Sequence, residues 1–305
     1  MGHTTARPSI QSTERIASRC ICCNSDQIQK SPAILMPFIA NRAFGWEPTE
    51  ITDDWGLRDI KSGMAYPLCN SLQCRVCGAL FLDIRFTDSE MSLLYSGYRG
   101  EEYTELRERF EPGYRIRNSI IAHGATHIPK VETFLSAYVA PPLKILDWGG
   151  DTGLNTPFKS QSKVFHIYDI SNRPAQPGAL RVEKNTVNNT NYDLIVLSHV
   201  LEHVPYPAKT MSDISSVMSK NTVLYIEVPQ EDLVRLNPGS TNMHTKKKHW
   251  HEHINFFNFF THESLNALLE CCGLQKIGMQ SHPIEIAGDV KQWYVFSIAC
   301  KLRMP

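Results

Sequence analysis

The chain has 305 residues, 31 basic and 31 acidic side chains, and a formal net charge of zero. That balance lacks the cationic excess of a duplex-binding protein, which makes nucleic acid a poor partner. No stretch approaches the roughly 20 apolar residues of a membrane-spanning helix. The length allows one small domain and one with a substantial core, and neither repeats nor low-complexity tracts interrupt it.

Cysteine dominates the first third. Cys20-x-x-Cys23 and Cys74-x-x-Cys77 are two knuckles, and tight thiolate pairs are what a tetrahedral structural Zn²⁺ requires. The long stretch between them implies a small domain folded around the ion, over residues 15–86. Cys22 and Cys69 stand beside the set as alternative ligands, and incidental buried thiols are the competing explanation. Disulfides fit less well. Met1 to Ser18 is polar, and the apolar run Ala33 to Ala40 is too short and too late for a secretory leader, so nine cysteines point to reduced thiols and a cytoplasmic location.

Residues 87–140 read as a helical connector. Thr87-Asp-Ser-Glu90 supplies capping residues before an apolar pattern, and Arg115 to Tyr138 carries spaced apolar residues suited to a helix that Gly124 interrupts. Tyr98, Tyr103 and Tyr114 are read as packing between domains rather than as substrate contacts. Pro141-Pro142 then marks a firm boundary before a domain over 141–305.

That domain opens on Leu143-Lys-Ile-Leu-Asp-Trp-Gly-Gly-Asp-Thr-Gly153, an apolar run ending in Asp147 and then a glycine turn. Gly149, Gly150 and Gly153 let a buried strand turn tightly toward a helix, where α/β sheets bind ligands. A second apolar segment ends at Asp169, about 20 residues on, the spacing at which an acid accepts hydrogen bonds from ribose hydroxyls. Tyr192 to Ser198 and Thr222 to Val228 read as further buried strands, with helical crossovers including Pro207 to Lys220. Strands alternating with helices imply an α/β fold with a doubly wound sheet. The order, an acid followed by Gly-Gly-x-x-Gly, differs from the Gly-x-Gly-x-x-Gly of a dehydrogenase.

The set Asp147-x-Gly149-Gly150-x-x-Gly153, Tyr-Asp-Ile-Ser at 168–171, His-Val-Leu-Glu-His-Val at 199–204 and Phe-Phe-Thr-His-Glu-Ser-Leu at 259–265 resembles class I S-adenosylmethionine-dependent methyltransferases. The resemblance implies a Rossmann-like seven-stranded sheet, closed by a hairpin of Leu274 to Gln280 and Tyr294 to Lys301. It also implies S-adenosylmethionine bound by Asp147, Gly149, Gly150, Gly153 and Asp169, with Ser198 and His199 at the pocket edge. Asp151 stands where the family usually has its middle glycine.

The two knuckles, with Tyr66-Pro-Leu-Cys69 before the second and Cys77-Gly-Ala-Leu-Phe-Leu82 after it, resemble the zinc-binding domain of bacterial sugar C-methyltransferases. That likeness implies a small carbohydrate-like acceptor, possible nucleotide linkage, and proton transfer near a Tyr-His-Glu-His motif. Here the motif reads Trp250-His251-Glu252-His253, so only Glu252 and His253 match. The family's additional carboxyl-terminal domain is not expected, because the chain ends just after the last strand. Oxygen methylation is therefore as reasonable as carbon methylation. His253 is the first candidate base, since imidazole suits proton removal near neutral pH, with His251 and Glu252 orienting it or binding substrate. His199 and His203 form a second candidate pair, of which His203 also suits a structural role. A metal site on His249, His251 and His253 lacks the spacing of a zinc hydrolase. Lys246 to Lys248 is read as a solvated loop, and Phe256, Phe257, Phe259 and Phe260 as core. A rival reading from another class makes the zinc module a docking site for a protein or RNA that is methylated, or only bound.

Overall fold

The computed structural model describes residues 14–56, 58–230, 257–284 and 293–303. In chain order the amino-terminal elements are β1 (Ile28–Ile34), α1 (Pro37–Phe44), β2 (Thr49–Ile51), β3 (Gly63–Ala65), β4 (Leu68–Cys74) and β5 (Leu80–Leu82). Strand β4 pairs antiparallel with both β1 and β5, while β2 and β3 form a separate hairpin. Four helices follow: α2 (Asp88–Tyr95), α3 (Glu101–Phe110), α4 (Tyr114–Ile121) and α5 (Ile128–Leu135). The capping box read at Thr87 is present, with the Thr87 hydroxyl accepting from the Glu90 amide and the Glu90 side chain accepting from the Thr87 amide. The expected helix over Arg115 to Tyr138 is two helices, and Gly124 between them sits at φ +87°.

The larger sheet comprises β6 (Leu143–Trp148), β7 (Ser162–Tyr168), β8 (Leu180–Arg181), β9 (Leu194–Ser198), β10 (Val223–Pro229), β12 (Leu274–Ile284) and β13 (Trp293–Leu302). Its order is β12-β13-β10-β9-β6-β7-β8, parallel from β10 to β8, with the final hairpin antiparallel. This is the doubly wound, Rossmann-like sheet that the sequence implied. Its crossovers include α6 (Lys184–Asn188), α7 (Pro207–Ser215) and α8 (His262–Cys271). Central strands need apolar side chains on both faces: Leu194, Ile195, Val196 and Leu197 are all 0% exposed, each contributing about 2 kcal/mol by burial.

One short strand, β11 (Asn258–Phe259), joins the two regions by pairing with β5, which makes the small sheet four-stranded in the order β1-β4-β5-β11. Packing joins them too. Leu72, Cys74 and Phe81 share a core with Phe260, Leu265 and Leu268. Phe257, Phe259 and Phe260 are buried, as read; Phe256 lies outside the described residues. All nine cysteines are free thiols, and no helix among the described residues is long and apolar enough to cross a membrane.

Candidate functional site

The glycine turn lies at the carboxyl end of β6 and is held open from beneath. Asp147 is 4% exposed and accepts a hydrogen bond from the Thr156 hydroxyl. A Cβ at Gly150 would stand 2.3 Å from the Asp147 Cγ, and one at Gly149 would stand 2.4 Å from the Val200 Cγ2. Gly149 and Gly153 also adopt φ values of +80° and +78°. All three glycines are therefore required by the turn.

Asp151, in the middle-glycine position, takes φ +50° and points its carboxylate at Arg173, 2.5 Å away, with Arg99 at 3.8 Å. Its amide donates to Asp169 Oδ2 at 2.9 Å, and the Ser171 amide donates to Asp169 Oδ1 at 2.6 Å. The acid in place of glycine is thus turned outward and its backbone helps to orient Asp169. Each oxygen of Asp169 keeps a lone pair for a ligand hydroxyl. Next to it, a cavity of about 550 Å³ lies between segments 92–100 and 170–174, lined by Tyr95, Tyr98, Arg99, Ile170, Asn172 and Arg173. Tyr103 and Tyr114 are instead buried in the core with Phe38.

Burial pushes the Asp147 carboxyl up to about 7, with the Thr156 hydrogen bond opposing the shift. Its proton-linked contribution to stability is fully present below its ordinary value near 4 and is lost as pH rises through 7. Asp147→Asn is accordingly expected to raise the thermal midpoint at pH 8 by several degrees and to change it little at pH 4. Equal effects at both pH values, measured by calorimetry, would contradict a buried, reluctant carboxylate.

Sequence reasoning placed Ser198 and His199 at this edge but missed the group that organises them. Glu227, 2% exposed on β10, receives hydrogen bonds from Ser198 Oγ at 2.9 Å and Tyr225 Oη at 2.6 Å, and contacts His127 Nε2 at 3.0 Å and His199 Nε2 at 3.2 Å. His199 Nδ1 lies 3.0 Å from Glu202 Oε1. Both His199 ring nitrogens are therefore committed to carboxylates, which removes it as a proton acceptor. The acid within the strand Thr222 to Val228, otherwise apolar apart from Thr222 and Tyr225, was the available signal for Glu227. His203 sits half-buried in the turn after β9, its amide donating to the Val200 carbonyl at 2.9 Å. His251, Glu252 and His253, together with Lys246 to Lys248 and His249, lie outside the described residues.

The second constellation is the cysteine group. The sulfurs of Cys20, Cys23, Cys74 and Cys77 all lie within 4.8 Å of one another, with Cys20 to Cys77 and Cys23 to Cys74 each at 3.5 Å. A tetrahedral zinc site with metal–sulfur bonds of ~2.3 Å has edges of ~3.8 Å, so the donor set fits this ion. The hydrogen bond with Cys20, then that with Cys22, lowers the Cys77 thiol to about 5. The Cys22 amide donates to Cys20 Sγ at 3.4 Å, while neither the Cys22 nor the Cys69 sulfur belongs to the group of four. The module is tied to the larger sheet here, because Thr261, which caps α8, donates to the Cys77 carbonyl at 2.9 Å.

In comparisons with known proteins, a family model described as a methyltransferase domain matches residues 121–277. No curated protein sequence matches the chain. Among solved structures, it is similar to the 1,6-didemethyltoxoflavin-N1-methyltransferase of Burkholderia thailandensis, solved with 1,6-didemethyltoxoflavin and S-adenosylhomocysteine bound (17% identity over 66% of this chain and 89% of that chain, TM-score 0.43). A second is a SAM-dependent methyltransferase of Methanosarcina mazei (16% identity, 56% of this chain, 98% of that chain, TM-score 0.39). A third is an O-methyltransferase family 2 protein of Planctomyces limnophilus in complex with apigenin (12% identity, 72% of this chain, 74% of that chain, TM-score 0.42).

Proposed function

Since the chain belongs to the methyltransferase-domain family and is an S-adenosylmethionine-dependent methyltransferase, we propose that its acceptor is a sugar or sugar-like small molecule, methylated on oxygen or carbon. The observation that carries the cofactor half of this reading is Asp169, oriented by two backbone amides beside a glycine turn that no Cβ could enter. Bound S-adenosylmethionine supplies an already activated methyl. The chain's own residues must align the acceptor, exclude water and take one proton. Asp169 would accept hydrogen bonds from the ribose hydroxyls. Gly149, Gly150 and Gly153 admit the ligand to the main chain over Asp147, and Ile170, 56% exposed beside the cavity, offers an apolar face to the base. Ser198 and His199 border the far end. His253 remains the candidate base, with His251 and Glu252 as the candidates to orient it or bind substrate and His203 as a further candidate.

Support for a carbohydrate acceptor comes from the amino-terminal module. Its knuckles and their flanks resemble those of sugar C-methyltransferases, and their four sulfurs converge as a Zn²⁺ site needs. We assign Zn²⁺ there a structural role, because four thiolates close the coordination shell. Residues 15–86, 87–140 and 141–305 serve as zinc module, connector and methyltransferase domain.

Calorimetric titration is expected to show binding of S-adenosylmethionine and none of NAD, and Asp169→Ala is expected to weaken the former by roughly a hundredfold through loss of two charge-assisted hydrogen bonds. Mass spectrometry of a metabolite extract incubated with enzyme and isotopically labelled cofactor identifies the acceptor. A labelled macromolecule in place of a labelled sugar would overturn the carbohydrate assignment.

A further inference from the structure

Two loops meet at the rim of the glycine turn, and a side chain outside both of them ties them together. Arg181 lies on β8, a two-residue strand whose register sets it opposite Ile167 of β7. Its Nη2 donates to the Asp151 carbonyl at 2.7 Å and to the Arg173 carbonyl at 2.5 Å, and its Nη1 donates to the Ser171 carbonyl at 2.7 Å. Asp151 belongs to the turn after β6, whereas Ser171 and Arg173 belong to the loop after β7. Arg181 Nη1 also lies 4.0 Å from Asp169 Oδ1. Reaching three carbonyls at once requires a planar, permanently charged fork, which lysine does not have.

Asp151 ties the loops from the other side. Its Oδ2 accepts from Arg173 Nη1 at 2.5 Å and its Oδ1 from Ser171 Oγ at 3.4 Å. Its amide, its carbonyl and both carboxylate oxygens therefore all have partners within residues 169–181. The Gln176 amide, donating to the Thr152 carbonyl at 2.8 Å, adds a further tie between the same loops. The consequence falls on Asp169, which takes one amide from each loop: that of Asp151 at Oδ2 and that of Ser171 at Oδ1. Sliding one loop against the other breaks one of these bonds and swings the carboxylate off its line. Whatever fixes the loops relative to each other thus fixes the direction of Asp169.

We infer that Arg181 and the Asp151 side chain form a clamp across the two loops, and that both are positioning residues acting through Asp169 on the ribose hydroxyls of the cofactor. This rests on the cofactor reading above. Acceptors that are already oriented need not reorganise when ligand arrives, so their orientation is read directly in affinity. The clamp also gives a task to the acid in the middle-glycine position. A glycine there would take the φ of +50° without strain, but it would leave Arg173 and Ser171 without their carboxylate partner. Restoring the family's usual residue should therefore weaken cofactor binding rather than strengthen it.

The test is a double-mutant cycle read by titration of S-adenosylmethionine into the full chain. Arg181→Lys keeps the charge and loses the fork, and is expected to weaken binding about tenfold, with Asp151→Gly weakening it about fivefold. Asp151→Asn, whose amide oxygen still accepts from Arg173 and whose backbone tolerates positive φ, should recover most of the loss seen with glycine. In an Asp169→Ala background, Arg181→Lys and Asp151→Gly should each change affinity by less than about twofold, because no carboxylate remains to aim. A full loss from Arg181→Lys in that background would mean general support of the fold, and wild-type affinity in Arg181→Lys or Asp151→Gly would mean no clamp. Either result overturns the proposal while the cofactor reading stands. No binding by the wild type, or an Asp169→Ala variant that binds as well as the wild type, overturns the cofactor reading and this inference together. Should Arg181→Lys fail to fold in a thermal melt, Asp151→Gly and Asp151→Asn decide through the same cycle.

Discussion

Stripping the metal from the cysteine group, or replacing Cys74 and Cys77 by serine, is expected to melt the small four-stranded sheet and destabilise the whole chain. A closed thiolate site contributes on the order of 10 kcal/mol to folding, because the unfolded chain has no preformed site. The sheet it anchors has little of its own to replace that: β5 and β11 are short, and β1 is only partly buried. Damage should spread, since Leu72, Cys74 and Phe81 pack against Leu265 and Leu268 of α8, and Thr261 holds the Cys77 carbonyl. Elemental analysis should give one zinc per chain, and calorimetry should show a fall of the thermal midpoint well beyond that of a single core truncation. A full-length protein without stoichiometric zinc, or with an unchanged midpoint after both substitutions, would leave the group as buried thiols only.

Gly150→Ala is expected to weaken cofactor binding by roughly a hundredfold while the protein remains folded. The new methyl would overlap the Asp147 carboxyl, which cannot retreat because it is buried and held by Thr156. The turn must move instead, carrying with it the Asp151 amide that orients Asp169. Overpacking of this kind costs about 3 kcal/mol, roughly a hundredfold in affinity. Gly149→Ala should be at least as damaging, because its Cβ would meet Val200 and its φ of +80° disfavours any other residue. Titration of S-adenosylmethionine into each variant, with a thermal melt as control, checks this. Wild-type affinity in Gly150→Ala would mean that the ligand does not use this turn.

Much of the candidate cofactor end was legible in the chain itself. Strand β6 with its terminal acid and glycines, Asp169 at the end of β7, and the apolar core strands β9 and β10 all follow from local rules: side-chain period, the freedom of glycine, and the placement of acids at strand ends. The cysteine knuckles were legible for the same reason, since thiol spacing is a local property. The outcome of the Asp151 substitution was not, because it depends on Arg99 and Arg173, which come from the connector and from the loop after β7.

Composition and order alone thus determined the class of fold, the enzyme family and the four cysteines that converge. Tertiary structure alone decided what surrounds them. It brought β11 back to β5, so that the small sheet is completed by a strand distant in sequence. It also gathered His127, His199, Glu202 and Glu227 from three separate segments into one hydrogen-bonded chain. Hydrogen bonds and desolvation act over a few ångströms in space and ignore distance along the chain, so a histidine that the sequence offers as a base has both ring nitrogens committed to two buried acids.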